Sequence, residues 1–579
     1  MSGRGRPSKG CSKCRSSKCD EATPACQRCV KGSYNCIYRD GFELVLRNQT
    51  TATAHRAQQK WRSRAKKDGE LDGSQASSPR SVSSPQSAWS GVSFTAIVPL
   101  SRVSIQPLVA DLACHRFFYD YCILEEANGF GFYSYIAPFF WEAPAGSTLH
   151  TSVLAAAYAN FGARCKSPEG RLKGIAYYTK ALKLVTQAMS TPNHRQPLHT
   201  LIAITTLGIY EMITAPYMTP NGSWGAHAEG AAALLHSKFL QSYEKPAQAL
   251  IFHSVFFEML VNKLNHKSHP SIPLETRSLF LEPNSPPHIF LELIHHAATI
   301  CADWHTLEPT LTGAHSPKLS ALITSALAVD ARYALFGTFS AFFWHYEPTP
   351  VSPEECGAWL RPLLEHPGAP EKVHRFVNMD LAFKWNFLDT ARLFLNRILL
   401  RALDVELAYV TSATSPVSQA SLASLSSGSP SPDSPPTSGS PLSPLPWDPP
   451  AGSQAALYPM SPMSPQALLI ARQGTRRRLR TLVDAICAAT LPHFVSPLRG
   501  QDAPREVADM PSMRGYVPIW PLWCAGMCMK EDGIEGLEMD GKGAARLEWM
   551  KAVMRVVRDE FGVSKAEAFL GELSQEGGG

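Results

Sequence analysis

Six cysteines near the N-terminus constrain this chain more than any other feature of its sequence. They are Cys11, Cys14, Cys19, Cys26, Cys29 and Cys36, in the pattern C-x2-C-x4-C-x6-C-x2-C-x6-C. Pairs of cysteines separated by two residues are typical of zinc ligands rather than of core packing. Two tetrahedral zinc ions need eight ligand positions, and six thiolates fill them only if two thiolates bridge. The spacing therefore favours a cluster of two zinc ions.

Two alternatives to a zinc cluster are a loop of reduced cysteines without metal and a disulfide framework. The paired spacing disfavours the first alternative. The second is disfavoured because the N-terminus has no apolar secretory signal and the other eight of the 14 cysteines are scattered singly. A reducing intracellular compartment fits this use of cysteine.

The cysteine stretch resembles the fungal binuclear zinc-cluster transcription factors, in which six cysteines hold two zinc ions. The matching residues around the cysteines are Gly10, Arg15, Lys18, Asp20, Glu21, Pro24 and Tyr38. The resemblance implies that Cys11 and Cys26 bridge the two ions. The remaining ligands would then be Cys14 and Cys19 for one ion, and Cys29 and Cys36 for the other.

The gap between Cys14 and Cys19 departs from the family pattern, with four intervening residues instead of six. An α-helix turns about 100° per residue, so seven positions, as from Cys29 to Cys36, return a side chain to the same face. Five positions leave the two thiolates about 140° apart. The alternatives are a tight turn, a displaced Cys19, ligation by Asp20 or water, or an error in the gene sequence. A cluster whose first half is impaired would hold one zinc ion or none.

Basic charge is concentrated where the cysteines lie. Residues 1–68 contain 16 Lys and Arg against 5 Asp and Glu, whereas the rest of the chain contains 39 against 44. A basic region beside a zinc module is typical of a protein that contacts nucleic acid phosphates. The alternative is a solvated basic tail. We predict double-stranded DNA as the partner.

Five basic residues within the cluster are candidate DNA contacts: Lys13, Arg15, Lys18, Arg28 and Lys31. The family resemblance implies that the helix after the second cysteine enters the major groove and binds a CGG-type triplet. Arg15 and Lys18 match that helix, and such side chains pair well with the guanine edge. Arg28 and Lys31 are predicted to contact phosphates.

We predict a mainly α fold: a small N-terminal binuclear zinc cluster, disordered linkers and a large all-helical C-terminal domain. The predicted segments are a basic arm (1–10), the zinc cluster (11–40), a basic segment whose composition permits a helix (41–67), a disordered linker (68–105), a helical regulatory domain (106–410), a Ser/Pro-rich disordered insertion (411–465) and the continued helical domain (466–574). Within the arm, Arg4-Gly5-Arg6-Pro7 resembles the core of an AT-hook, and the alternative is a flexible basic leader.

Apolar residues recur at helical spacing through the predicted domain. The clearest stretches are 108–125, 149–165, 198–212, 468–491 and 547–561, and a helix capped by Ser285-Pro286 is predicted to run to Cys301. Alternating strand patterns are scarce. Residues 224–231 (WGAHAEGA) and 519–526 (IWPLWCAG) resemble markers of the family's helical regulatory domain. We interpret His227 as structural.

The predicted insertion contains eight Ser-Pro steps. Such a composition cannot bury enough apolar surface to order itself. Control by proline-directed phosphorylation is one hypothesis, because phosphate would add charge to the segment. The alternative is a tolerated disordered insertion.

No run of about eighteen apolar residues is present, so no membrane partner is expected. No motif of a zinc protease, serine hydrolase or dinucleotide enzyme appears, and His288, His295 and His296 have no evident carboxylate partner. We therefore predict a zinc-dependent, sequence-specific DNA-binding regulator of RNA polymerase II genes, in the nucleus, and not an enzyme.

The predicted partners besides DNA are transcriptional co-regulators. No leucine heptad follows the cluster, so a coiled-coil dimer is not indicated, and association with a second copy is the alternative to a monomer. A different function would be that of a helical interaction protein whose degenerate cluster does not bind DNA. A helical enzyme with a basic tail is a third alternative, which no motif supports.

Overall fold

The structure of the chain is a computed structural model. It describes residues 26–32, 109–122, 133–190, 197–215, 223–235, 245–311, 316–340, 344–350, 358–413, 463–494, 507–530 and 543–575. The chain divides into two compact units, Met1–Pro107 and Leu108–Gly579. Residues 26–32 are the described part of the first unit, and all other described residues belong to the second.

Sixteen α-helices are described. They are α1 (Gln27–Lys31), α2 (Val109–Phe117), α3 (Ile136–Glu142), α4 (Thr148–Arg164), α5 (Pro168–Ser190), α6 (Pro197–Thr214), α7 (Ser223–Leu235), α8 (Lys245–His266), α9 (Pro286–Leu307), α10 (Pro317–Ser340), α11 (Arg361–Leu364), α12 (Met379–Ala413), α13 (Pro465–Thr490), α14 (Met513–Lys530), α15 (Gly543–Glu560) and α16 (Lys565–Ser574). A π-helical turn, Phe118–Cys122, continues α2. The predicted mainly α fold is confirmed.

The helix positions agree with the apolar spacing of the sequence. Helix α4 begins after Ser147, whose hydroxyl accepts a hydrogen bond from the His150 N–H, as an N-cap residue does. Helices α4 and α6 are buried around most of their circumference, which explains why their sequences are apolar on nearly every face. These two helices form the centre of the first half of the bundle.

Helix α9 differs from the prediction in two respects. Ser285 occupies the N-cap position and proline follows it, but the Ser285 hydroxyl donates to the Glu282 carbonyl at 2.7 Å and does not cap the helix. The helix also continues past Cys301 to Leu307, because Trp304 at 2 % exposure extends its buried face by one turn.

Two short strands depart from the predicted all-helical domain. Strand β1 (Tyr346–Thr349) pairs antiparallel with β2 (Val373–Phe376), and Tyr346 lies opposite Phe376. Each strand has four residues, too few to give a recognisable alternation in the sequence. The pair packs against the N-terminal part of α12, where the Trp385 ring meets Tyr346 at 5.3 Å between centroids.

A buried carboxylate joins two distant segments of the second unit. Asp120, fully buried in the π-helical turn, accepts hydrogen bonds from Arg116 at 2.7 Å and from Asn160 at 2.7 Å. It also accepts one from the backbone N–H of Ser512 at 3.0 Å, a residue 392 positions away. The first helix of the unit and the segment before α14 are therefore fastened to each other.

A second buried carboxylate lies where α10, α12 and α13 meet. Asp330 of α10 accepts hydrogen bonds from Arg392 and Asn396 of α12, both at 2.8 Å, and lies 3.1 Å from Arg478 of α13. Although burial raises the pKa of Asp330, Arg392 holds it below the usual value.

Among the described helices, α10 alone combines the length and the apolar composition of a membrane span. Its Leu322 and Phe336 are buried, and Asp330 is ion-paired within the bundle. One face of α10 is therefore packed within the bundle, whereas Leu335 and Phe339 are exposed on another.

Candidate functional site

The fourth and fifth cysteines of the predicted cluster lie together at the start of α1. The amide of Val30 donates to the Cys26 carbonyl at 3.0 Å and forms the first helical turn. Residues three positions apart on such a turn share a face, so Cys26 and Cys29 are neighbours. Both side chains are fully buried, whereas Val30 is 65 % exposed.

The geometry of this pair fits zinc ligation. The backbone N–H of Cys29 donates to Cys26 Sγ at 3.4 Å. A hydrogen bond to sulfur favours the thiolate, which is the form that binds zinc. Two thiolates on one short helical turn would supply two of the four ligands of a tetrahedral ion, and bound zinc would supply a rigid cross-link for the module.

The other candidate residues of the cluster lie outside the described residues. They are Cys11, Cys14, Cys19, Cys36, Lys13, Arg15 and Lys18. The backbone of Arg28 belongs to α1, but its side chain is not described, and Lys31 is exposed at the end of the helix. Among the described residues, no group of three His, Cys, Asp or Glu side chains is arranged to hold a metal ion.

Helix α1 is shorter than the sequence predicts. The cysteine spacing predicts Cys29 and Cys36 on one face of a regular helix, but α1 ends at Lys31 and Gly32 lies in a turn. Glycine is the residue that most readily leaves a helix at its C-terminus. Among the described residues, helical periodicity after Cys29 ends at Lys31, and the position of Cys36 relative to Cys29 stays a prediction.

A second candidate site is a cavity of about 470 Å³ in the helical unit. The two marker segments predicted from the sequence both contribute to its wall: Trp224 and Gly225 come from α7, and Ile519, Trp520 and Trp523 come from α14. Nothing in the spacing of the two segments predicts that they lie side by side. The structure shows that they line one space.

Helix α8 contributes the polar side of the cavity. Glu258, Asn262 and Asn265 lie one turn apart on a single helix face and line the space together. Glu258 is 5 % exposed and accepts a hydrogen bond from the Tyr133 hydroxyl at 2.7 Å. Burial raises the pKa of Glu258 to about 8. These three residues were not predicted from the sequence. The pattern that could have indicated them is a row of polar residues at helical spacing in an otherwise apolar helix.

Gly225 allows α7 to approach this polar face. A Cβ atom at position 225 would lie 2.7 Å from Asn262 Oδ1 and 3.5 Å from His266 Nε2. The first distance is shorter than side chains tolerate, so any other residue at 225 would displace the Asn262 carboxamide. The glycine of the marker segment thus has a steric role.

The histidines singled out in the sequence are packing residues. His227 is half-buried and meets the Tyr178 ring edge-on at 6.5 Å, and burial lowers its pKa. His288 Nε2 accepts a hydrogen bond from Arg277 at 2.8 Å, and Arg277 also binds Glu292 at 2.6 Å. The carboxylate of Glu292 therefore lies near His288, and Arg277 forms hydrogen bonds with both side chains.

Comparison with known proteins identifies two domains. Residues 9–43 match the fungal Zn(2)-Cys(6) binuclear cluster domain, and residues 116–319 match the fungal specific transcription factor domain. The chain is also similar to "Transcription factor dbaG" of Emericella nidulans, with 24 % identity over 309 residues, which are 51 % of this chain and 67 % of that protein. No solved structure matches.

The two matches agree with the described geometry. The first spans all six cysteines, including the buried pair on α1, and the second spans the helices from α2 to the start of α10. The comparisons point to a regulator rather than an enzyme. The chain belongs to the fungal transcription factors that carry a Zn(2)-Cys(6) binuclear cluster and a helical fungal-specific domain.

Proposed function

We propose that this zinc-cluster regulator holds two zinc ions and binds CGG-type DNA sites that control RNA polymerase II genes. The observation that carries the proposal is the burial of Cys26 and Cys29 side by side on α1, with an N–H group donating to one sulfur. Cys26 would bridge both ions together with Cys11. The other ligands would be Cys14 and Cys19 for one ion, and Cys29 and Cys36 for the other.

The DNA contacts follow from the distribution of charge. Lys18, with Arg15 and Lys13, would lie in the major groove, where a basic side chain can pair with guanine. Arg28 and Lys31 would contact phosphates, which positions the module without selecting a sequence. The exposure of Lys31 supports this role.

The helical domain would connect DNA binding to transcription. We propose that it contacts transcriptional co-regulators and that the protein acts in the nucleus, not as an enzyme. The domain organisation predicted above, with two Ser/Pro-rich segments flanking the first helical stretch, is part of this proposal. Self-association would be measured by sedimentation of the full chain with and without DNA.

Zinc content tests the cluster. The full chain, purified and dialysed against metal-free buffer, should contain two zinc ions by elemental analysis. Cys29→Ser should lower that content, and the control Cys165→Ser should leave it unchanged, because Cys165 is a half-buried thiol at the end of α4. A chain that retains two zinc ions after Cys29→Ser would contradict the assignment.

DNA binding tests the specificity. The full chain should bind a duplex with a CGG triplet more tightly than a scrambled duplex, with a log–log salt slope of about −0.9 per phosphate contacted. Lys18→Ala should reduce the preference for CGG, whereas Lys31→Ala should weaken binding to both duplexes equally. A salt dependence close to zero would count against the basic region as the DNA contact.

The short Cys14–Cys19 gap favours one alternative function. If the first half of the cluster is impaired, the protein would be an interaction protein that keeps its helical domain and does not bind specific DNA. One zinc ion or none per chain, together with equal affinity for CGG and scrambled duplexes, would establish this alternative in place of the proposal.

A further inference from the structure

We propose that the cavity between α7, α8 and α14 binds a neutral, ring-containing small molecule that donates a hydrogen bond through a hydroxyl group. This effector site goes beyond the DNA-binding function, and the two can fail independently. Four observations carry it: the aromatic wall, an unpartnered amide oxygen, the neutral polar face of α8 and the meeting of two marker segments in one space.

The wall of the cavity favours planar rings. Its volume of about 470 Å³ lies within the range of small-molecule sites. Aromatic side chains from several helices line it, among them Trp224, Phe257, Phe387, Tyr516 and Trp520. Aromatic faces and edges attract one another at separations of roughly 4.5–7 Å, so a flat apolar ligand would gain contacts on more than one side.

One buried polar atom beside the cavity lacks a hydrogen-bond donor. Asn262 is 4 % exposed, and its Oδ1 atom has no hydrogen-bond partner among the described residues. Its amide nitrogen donates to Glu229 Oε1 at 2.9 Å. Because a carboxylate oxygen accepts, that bond fixes which end of the carboxamide is nitrogen. The free oxygen is therefore an acceptor, and a hydroxyl group of a ligand would satisfy it.

The charges around the cavity favour a neutral ligand over an amine. Burial raises the pKa of Glu258 to about 8, so its carboxyl group is protonated at neutral pH and can donate as well as accept. Two further lining residues, Lys565 and Glu572, are of opposite sign. Glu572 is engaged by the Trp523 N–H at 2.9 Å. Lys565 and Glu572 compensate each other electrostatically, and His266 is the other basic residue of the wall.

A matched set of pyrene derivatives tests the proposal with the full chain. Hydroxypyrene is the neutral donor, pyrene lacks the hydroxyl group, aminomethylpyrene is cationic and pyrenecarboxylate is anionic. Energy transfer from the cavity tryptophans to pyrene reports binding. At pH 7 we expect saturable binding of hydroxypyrene, about tenfold weaker binding of pyrene, which is the factor that one hydrogen bond provides, and still weaker binding of both charged compounds.

Two variants assign the hydrogen bond to Asn262. Asn262→Leu removes the acceptor and should reduce the affinity for hydroxypyrene about tenfold while leaving that for pyrene unchanged. Gly225→Ala displaces the same oxygen without altering its chemistry and should have the same selective effect, so the test survives if the first variant folds poorly. Circular dichroism and thermal melting check that each variant is folded.

Glu258→Gln separates a neutral site from a cation site. The variant keeps the shape and the hydrogen bond with Tyr133 but cannot ionise, so the ratio of the affinities for hydroxypyrene and aminomethylpyrene should not change. The proposal is overturned if hydroxypyrene shows no saturable binding, if pyrene binds equally well, or if aminomethylpyrene binds most tightly and loses affinity in Glu258→Gln. Zinc content and DNA affinity, measured on the same samples, report the DNA-binding function separately.

Discussion

The carboxamide oxygen of Asn265 accepts a hydrogen bond of 2.8 Å from the indole N–H of Trp520, which lies 255 positions further along the chain. The same indole stacks on Phe387 at 5.2 Å and on Phe394 at 6.0 Å between ring centroids. The hydrogen bond fixes the indole in its plane between these rings. It thereby fixes one wall of the cavity.

Removing this hydrogen bond should cost stability without removing the ring. Trp520→Phe retains an aromatic side chain but leaves the Asn265 oxygen without its donor, so the free energy of unfolding should fall by about 1–3 kcal/mol. Urea denaturation followed by circular dichroism measures the change. In a double-mutant cycle with Asn265→Ala the two losses should not add, and full additivity would show that the bond is not the cause.

Asp330 should be among the most sensitive positions in the helical unit. Asp330→Ala leaves the guanidinium groups of Arg392 and Arg478 facing each other in a partly buried site, and we expect a loss of about 3–5 kcal/mol in the free energy of unfolding. Asp303→Ala is the control, because its pair with His269 is about half exposed and 3.6 Å long. A similar loss in both variants would contradict the special role of Asp330.

The effect of Asp330 should depend on pH in a defined direction. The pKa of Asp330 is lowered in the folded state. Its contribution to the free energy of unfolding is therefore fully present above pH 3.8, the usual pKa, and is lost as the pH falls through the lower pKa of the folded state. The difference between the unaltered chain and Asp330→Asn should therefore shrink in acid. Denaturation at pH 7 and at pH 3 makes the comparison, and a constant difference would refute it.

Glu258 should oppose stability at neutral pH. Its pKa is raised from 4.5 to about 8, so the folded state holds a proton that the unfolded state releases between these values. The free energy of unfolding should therefore fall as the pH rises from 4.5 to 8. The titratable groups facing Glu258 are the hydroxyls of Tyr133, Tyr135 and Tyr516, which burial keeps neutral by raising their pKa values.

Glu258→Gln should remove this penalty. At pH 7 the variant should be more stable than the unaltered chain by up to about 3 kcal/mol, which is the free-energy equivalent of the pKa shift over that interval. At pH 4 the gain should disappear. Urea denaturation at both pH values decides the point, and an equal stability of the two proteins at pH 7 would show that the carboxyl group titrates normally.

Substitution by alanine at two glycines should change the stability of the protein in opposite directions. A Cβ atom at Gly368 would lie 1.9 Å from the backbone oxygen of Ala545, so Gly368→Ala forces α15 away from the segment before β2. We expect a loss of about 1–3 kcal/mol or more. Gly571 in α16 has nothing within 4 Å of such an atom, and Gly571→Ala should gain about 0.5–1 kcal/mol from helix propensity. Thermal melting of both variants tests the close approach of Gly368 to Ala545. A higher melting temperature for Gly368→Ala would contradict it.

Local structure followed from the sequence because its causes are local. The predicted helix at 149–165 is observed as Thr148–Arg164, since a Ser cap and continuous apolar spacing define it without reference to other elements. The pairing of Tyr346–Thr349 with Val373–Phe376 was missed, because the partners are separated by a long connection and neither shows a period of its own.

The candidate sites could be predicted to different extents. Cysteine spacing alone indicates a zinc cluster, and the buried Cys26 and Cys29 agree with it. The cavity could not be predicted, because Glu258 and Asn262 acquire their role only when residues of α7 and α14 meet those of α8 around one space. Such a site depends on tertiary contacts between distant residues, such as Asn265 and Trp520, which are 255 positions apart, and no local pattern records them.

The hydrogen bond from the Ser512 amide to Asp120 can form only late in the synthesis of the chain. Until residue 512 leaves the ribosome, the buried carboxylate lacks a partner that it has in the finished fold. Ribosomes add roughly 5–20 residues per second, so synthesis over the 392 positions from Asp120 to Ser512 takes about 20–80 s. The nascent helical unit therefore lacks this hydrogen bond for most of its own translation, and chaperones can bind it during that time.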